Sequence, residues 1–179
     1  ERFSAAAATI EKSLEALPAS PENEQLREAS ETVIAADNLF EARSQELRAL
    51  AEELGIASRV TFAGQRENAV EYLRAFDAFI MTSHYEGLSN AIMEAMIYEL
   101  PCVVTDVGGN GELVTEGETG YVVAAGDRTT FADRVATLLA DPALRRAMGA
   151  RGAKRILNEF SLERMVGETE AKYEQLLGR

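Results

Sequence analysis

The sequence predicts an α/β fold in which helices cover both faces of a doubly wound parallel sheet. Short runs rich in β-branched residues alternate with stretches of helical periodicity along most of the chain. The strand-like runs are almost continuously apolar, as in 101–106 ("PCVVTD"), which is typical of strands buried on both faces. From Asp127 onward the patterns are helical only, so we expect a helical C-terminus.

The predicted elements follow one another in the order that such a sheet requires. A first helix is predicted at 2–17, from apolar residues at helical spacing. Strands are predicted at 31–37, 59–64, 77–83, 101–106 and 121–124. Later helices are predicted at 40–55, 67–76, 89–100, 127–141, 142–160 and 161–177. Gly55 is a plausible C-cap for the second helix. Pro101 stops the helix predicted at 89–100. Because no linker or repeat interrupts the pattern, we expect one domain over 1–179.

Charge and composition exclude several classes of function. The net charge of −12 argues against nonspecific nucleic-acid binding and against a polybasic membrane anchor. No apolar run approaches the roughly 20 residues that span a bilayer. The single cysteine, Cys102, allows no internal disulfide, so we expect a reducing, cytoplasmic location, and its strand favours a buried thiol over a nucleophile. With His84 as the only histidine, the sequence offers no zinc ligand set.

Ligands of doubly wound sheets bind at the carboxyl ends of the strands, so the turns there are the candidate sites. Four such turns stand out, at 37–38, 64–66, 83–90 and 106–111. Three of the four contain glycine, which lets the backbone approach a ligand closely.

The richest turn leads into the predicted helix at 89–100. Ser89 or Asn90 would cap this helix, and the free N–H groups from Leu88 to Ala91 would form an anion site that suits a phosphate. Glu86 would lie beside the group attached to that phosphate, and Glu94 would reach a pair of vicinal hydroxyls. The alternative from spacing alone is a loop charge at 86 and a solvated helix residue at 94.

The other two glycine turns are weaker signals. Gly108 and Gly109 directly follow a predicted strand, and this turn would cradle a sugar or phosphate or be a flexible loop. Gly64 and Arg66 would present backbone groups to a nucleobase and a cation to an anion, with a plain loop as the alternative.

The order "RVTFAG … FDAFIMTSHYEGLSNAIMEAMIYELPCVVTDVGGNGELVTEGETGYVV" resembles the C-terminal domain of family 4 (group 1) retaining glycosyltransferases. The resemblance covers roughly 40–177, and its most specific element is an E-x7-E signature, Glu86 to Glu94, with Gly87 between them. It implies a Rossmann-like domain, the C-terminal half of the GT-B architecture, in which two such domains face each other across a cleft.

The resemblance also implies a role for each site residue. The domain would bind a UDP- or GDP-sugar, with Glu94 on the ribose and the backbone of 87–90 on the diphosphate. Glu86 would contact the sugar near the reacting centre as the catalytic residue, and Gly64 and Arg66 would lie near the base. The sugar would pass, with retention of configuration, to a glycan or lipid-linked acceptor held by the N-terminal domain. No cofactor or divalent metal would be needed.

The chain departs from the family pattern in ways that leave a second function open. The family's first strand, with a Gly-Arg turn and a lysine that bind the phosphates, has no counterpart, and 36–38 reads Ala-Asp-Asn where Gly-Asp-Gly is usual. We therefore expect a fragment that is inactive without the N-terminal domain, through which peripheral membrane contact would occur. The alternative is a catalytically inactive interaction or regulatory domain.

Overall fold

The computed structural model describes residues 42–64 and 66–178 of the chain. The chain divides into two units, Glu1–Gly64 and Gln65–Arg179, and each is described by itself. The predicted helix at 2–17, the predicted strand at 31–37 and the turn at 37–38 lie outside the described residues. Whether 1–179 forms one domain stays a prediction.

The described part of the first unit is a helix, α1 (42–53), followed by a short 3₁₀ turn at Ala57–Arg59. The helix ends as the sequence predicts, because Gly55 adopts a positive φ of 67° and the Ile56 N–H bonds back to the Ala51 carbonyl at 2.9 Å. The predicted strand at 59–64 is wrong. Val60 is extended, but an extended run becomes a strand only by pairing, and 60–64 pair with none of the described strands.

The second unit contains a parallel sheet and six α-helices among its described residues. Its strands are β1 (Phe79–Met81), β2 (Cys102–Thr105) and β3 (Gly120–Val123), in the order β1-β2-β3. Its helices are α2 (Ala69–Tyr72), α3 (Asn90–Ile97), α4 (Asn110–Leu113), α5 (Arg128–Ala140), α6 (Pro142–Glu159) and α7 (Leu162–Leu176). A short 3₁₀ turn, Leu73–Ala75, extends α2. Apart from 59–64, each predicted strand and helix within the described residues has a counterpart.

Helices cover both faces of the sheet, as the apolar strands predict. All four residues of β2 are buried, and successive side chains point to opposite faces. Val104 packs in a cluster with Ile92 and Met96 of α3, whereas Val103 packs in a second cluster with Leu138 and Met148 of α5 and α6. The central strand therefore forms the core of both layers. Because the three strands are parallel, their carboxyl ends lie at one edge of the sheet.

Capping side chains start the three long C-terminal helices where the sequence predicts them. Asp127 accepts a hydrogen bond from the Thr130 N–H, and Asp141 accepts from Ala143 and Leu144 just before Pro142. Ser161 accepts from the Arg164 N–H at the start of α7. Helix α7 has no buried residue, so its apolar side chains are exposed in this unit.

Helix α3 ends earlier than its sequence pattern predicts. The prediction extends to Leu100, but α3 stops at Ile97 and Glu99 adopts a positive φ of 58°. The Leu100 N–H bonds to the Ala95 carbonyl at 3.1 Å, which closes a Schellman motif without glycine. The Glu99 carbonyl packs so closely on Gly149 of α6 that a Cβ there would overlap it. The close packing of Glu99 on Gly149 therefore accompanies a positive φ, which glutamate rarely adopts.

Cys102 is fully buried in β2, as expected for a structural thiol. Burial raises the pKa of its thiol to about 12, because the thiolate would lose its hydration. Within 42–64 and 66–178, no helix is both long and apolar enough to cross a bilayer.

Candidate functional site

The glycine turns that follow β1 and β2 are in direct contact. Because these strands are parallel neighbours, both turns lie at the same edge of the sheet. The Gly109 N–H donates a hydrogen bond to the Gly87 carbonyl at 2.8 Å. A Cβ at Gly108, whose φ is 52°, would overlap the Glu86 carbonyl oxygen. Glycine is therefore needed at 108 for the two turns to touch.

Glu86 is half-buried in the first of these turns and is held by a serine three residues earlier. The Ser83 hydroxyl donates a hydrogen bond to Glu86 Oε1 at 2.7 Å. The Ser83 carbonyl in turn accepts a hydrogen bond from Thr105 Oγ1 at 2.6 Å. Asn110 Nδ2 donates to the Thr105 carbonyl at 3.0 Å. Both Thr105 and Asn110 are buried, so the set of bonds is anchored in the core.

The start of α3 leaves backbone donors available beside Glu86. Ser89 occupies the N-cap position with an extended backbone, but its side chain makes no capping hydrogen bond. Its hydroxyl is directed instead to Met81 Sδ, at 3.7 Å. The first N–H groups of a helix have no acceptor within the helix, and the macrodipole makes this end positive. An anion that lies near the exposed Gly87 and Asn90 would meet these donors.

Glu94 is exposed although its neighbours in sequence are apolar. Ile92, Ala95 and Met96 are fully buried, whereas Asn90, one turn before Glu94, is exposed as well. Residues four apart share a helix face, so Asn90 and Glu94 point away from the core together. This arrangement agrees both with a hydroxyl-binding carboxylate and with a solvated helix residue.

A cavity of about 770 Å³ lies next to the site, on the side of α7. Leu88 and Met93 form one wall, and side chains between Glu159 and Leu176 form the other. The Leu88 side chain also lies against Gly109, 3.0 Å from where a Cβ would stand. Leu88 therefore lies against Gly109 and also lines this cavity.

The structure brings some of the predicted site residues together and leaves others apart. The contact between the two turns brings Glu86 and Gly87 against Gly108 and Gly109. The remaining predicted residues of the start of α3 follow directly in the chain and lie next to this contact: Leu88, Ser89, Asn90 and Glu94. Arg66 is exposed and is bonded to none of these described residues. Gly64 belongs to the first unit, where its φ of 66° lies in the left-handed region. The ligand contacts of all ten residues stay predictions.

Sequence reasoning gave no role to Ser83, Thr105 or Asn110. The available signal was a polar residue at the last position of an otherwise apolar strand, which occurs at Thr105. A buried hydroxyl needs a hydrogen-bond partner, so such a residue points to a bond with a neighbouring turn. Within the described residues, no group of three or more His, Cys, Asp or Glu could hold a metal ion.

Comparison with known proteins identifies a family for most of the chain. The family described as "Glycosyl transferases group 1" matches residues 5–155. The N-acetyl-alpha-D-glucosaminyl L-malate synthase of Bacillus anthracis is 36% identical over 128 residues, 72% of this chain and 34% of that protein. The lipopolysaccharide core biosynthesis mannosyltransferase LpsB of Rhizobium meliloti is 35% identical over 138 residues, 76% of this chain and 39% of that protein. The chain thus spans little more than a third of these relatives.

Solved structures of similar proteins have the same fold. Sucrose-phosphate synthase from Thermosynechococcus elongatus superposes with a TM-score of 0.67 and 31% identity, over 76% of this chain and 35% of that one. Anabaena Alr3699/HepE, solved in complex with UDP, gives a TM-score of 0.67 and 26% identity over 72% of this chain and 36% of that one. The C-terminal domain of the group 1 protein LpcC from Francisella tularensis, at 22% identity and a TM-score of 0.61, supports the fold alone, over 68% of this chain and 64% of that one.

Proposed function

The chain belongs to the glycosyl transferases of group 1, with a GT-B, Rossmann-like fold, and we propose on that premise that it binds the donor of a retaining glycosyltransferase. The donor would be a UDP- or GDP-sugar and the acceptor a glycan or a lipid-linked glycan. The similar structure with bound UDP supports the donor assignment, and the relative named for lipopolysaccharide core biosynthesis supports the acceptor assignment.

One observation carries the proposal: uncapped backbone donors at the start of α3 lie beside a carboxylate that a hydrogen bond from Ser83 holds in place. The N–H groups of 87–90 bind the diphosphate, whose charge the helix dipole stabilises. Glu86 contacts the sugar hydroxyls near the anomeric carbon, and Glu94 binds the ribose hydroxyls. Arg66, an exposed cation of the second unit, is assigned to the base side of the donor.

The glycine pair has a different task from the one its sequence suggests. The Gly109 N–H is already bonded to Gly87, so that donor is occupied. We assign Gly108 and Gly109 to holding the diphosphate turn in shape, and any direct contact with the sugar comes from the remaining backbone of this turn.

The reaction breaks the bond between the anomeric carbon and the diphosphate oxygen, and the bonding electrons leave with the nucleoside diphosphate. An acceptor hydroxyl oxygen forms the new glycosidic bond to the anomeric carbon, and its proton passes to the departing diphosphate oxygen. Negative charge grows on the diphosphate, so donors preorganised at α3 stabilise the transition state more than the ground state. An N-terminal domain binds the acceptor, contacts the membrane peripherally where the acceptor is lipid-linked, and completes the site in the cytoplasm. No divalent metal takes part.

Calorimetric titration of the complete natural protein with UDP and GDP tests the proposal. We expect binding of one of them, and Glu94→Ala should weaken it about tenfold or more, because hydrogen bonds to a carboxylate contribute about 1.5–3 kcal/mol.

Glu170→Ala is the matched control, since Glu170 is another exposed helical glutamate, on α7. It should leave binding unchanged. If neither nucleotide binds, or if Glu94→Ala and Glu170→Ala behave alike, the assignment of Glu94 fails. Nucleotide binding without transfer of any sugar would favour the inactive interaction domain.

A further inference from the structure

The hydrogen bond from Ser83 divides the work of the two Glu86 oxygens. At 2.7 Å, it has the short length of a bond between a hydroxyl and a carboxylate. It occupies Oε1, and no described residue bonds to Oε2. A bond of this kind limits the rotamers of a half-buried glutamate and leaves one oxygen to face a ligand.

Ser83 is itself fixed, although it lies beyond the end of the paired strand. The ladder between β1 and β2 stops at the pair Met81–Val104. Two residues later, the Thr105 hydroxyl continues the connection by bonding to the Ser83 carbonyl at 2.6 Å. Thr105 is 6% exposed, so its hydroxyl has little access to water as a substitute partner.

The backbone of Glu86 is held from the other side. The Gly108 backbone packs on the Glu86 carbonyl, and the Gly109 N–H bonds to Gly87. Thus Ser83 holds the side chain of Glu86, while the turn after β2, with Gly108 and Gly109, holds its main chain. The Glu86 side chain itself is half-buried and lies at the sheet edge, where a ligand can reach it.

We propose that Ser83, held by Thr105, is a positioning residue that aims Glu86 Oε2 at the donor sugar. The inference rests on the proposed function, and assigns to Ser83 recognition of the sugar rather than of the nucleotide. A positioning residue acts without contacting substrate, so the effects of Ser83 variants are expected to pass through Glu86. A displacement of a catalytic group by about 1 Å can lower the rate a hundredfold.

Two quantities measured on the complete natural protein test this assignment. The first is the dissociation constant of the nucleoside diphosphate divided by that of the corresponding nucleotide sugar, which reports how much the sugar adds to affinity. The probes are UDP with UDP-glucose and GDP with GDP-mannose. The second is the turnover of the donor. Ser83→Ala should reduce turnover roughly ten- to hundredfold and shrink the ratio, because it removes a hydrogen bond to a charged group. Affinity for the bare diphosphate should change less than about twofold.

Rescue and non-additivity separate positioning from a general structural effect. Ser83→Thr and Thr105→Ser keep the hydroxyl groups and should retain most activity, whereas Thr105→Val should behave like Ser83→Ala. In the background of Glu86→Gln, Ser83→Ala should cause no further loss. Ser58→Ala, at an exposed serine of the first unit, is the matched control and should be neutral.

Several outcomes overturn the inference. If Glu86→Gln abolishes the affinity that the sugar adds to the nucleotide, but Ser83→Ala preserves it, the positioning role is wrong and the proposed function stands. Additive losses in the double variant also refute it. If the wild-type protein binds neither UDP nor GDP, the proposed function and this inference fall together. Should Ser83→Ala fail to fold, Ser83→Cys, with similar volume and a weak donor, gives the same comparison.

Discussion

Replacing Gly149 with alanine should destabilise the protein, although alanine normally stabilises a helix. In an exposed helix interior the exchange would gain about 1 kcal/mol. At 149, however, the new Cβ would overlap the Glu99 carbonyl oxygen and would lie 2.5 Å from its carbon. A backbone carbonyl cannot relieve the overlap by changing rotamer, so α3 and α6 must separate. We take the upper end of the usual overpacking cost of about 1–3 kcal/mol, which leaves a net loss of about 2 kcal/mol.

The chain contains a matched control for this substitution. Gly167 also lies within a helix, α7, but nothing is within 4 Å of the position that a Cβ would take. Gly167→Ala should therefore stabilise the helix by about 0.5–1 kcal/mol. Urea unfolding of the complete natural protein, followed for the transition of the second unit, measures both changes. If Gly149→Ala is as stable as the wild type, or the two variants shift together, the close contact between α3 and α6 is refuted.

Three further predictions concern the candidate site, a helix cap and the dependence of turnover on divalent metal. Gly108→Ala should destabilise by about 1–3 kcal/mol and reduce donor turnover, since its Cβ overlaps Glu86, while Gly111→Ala, with 3.7 Å of clearance from Asp106, should be tolerated in both assays. Hydrogen bonds from the Thr130 hydroxyl and N–H hold the pKa of Asp127 below its usual value. The contribution of Asp127 to stability is therefore present above the ordinary pKa of about 3.9 and is lost as the pH falls through its lower pKa in the folded state. The difference in the free energy of unfolding between the wild type and Asp127→Ala should therefore shrink in acid. EDTA should leave donor turnover unchanged, and a loss restored by Mg²⁺ would disprove metal independence.

The features that the sequence predicted well are those fixed by local chemistry. The apolar runs at β1, β2 and β3 need burial on both faces, and Asp127, Asp141 and Ser161 cap helices through bonds to residues two or three positions away. Such signals lie within a few residues of one another, so no tertiary information is needed to interpret them.

The features that sequence reasoning missed depend on which distant segments meet. The strand predicted at 59–64 needs a pairing partner, and composition cannot supply one. The early end of α3 coincides with the approach of Gly149 to Glu99, 50 residues away in the chain. The bond from Thr105 to Ser83 spans 22 residues. Gly108 and Gly109 were visible as a turn, but their contact with Glu86 and Gly87 was not.

The two glutamates of the site differ in how the structure holds them, and this difference predicts how their variants should fail. Glu86 has its carboxylate bonded to Ser83 and its carbonyl packed on Gly108, so its position is set before any ligand binds. Glu94 is exposed on α3 and pays the loss of side-chain freedom only on binding. A preorganised group contributes mainly to the transition state, whereas a group ordered by the ligand contributes mainly to affinity. Glu86→Gln should therefore lower kcat by a larger factor than it raises KM for the donor, whereas Glu94→Ala should mainly raise KM for the donor.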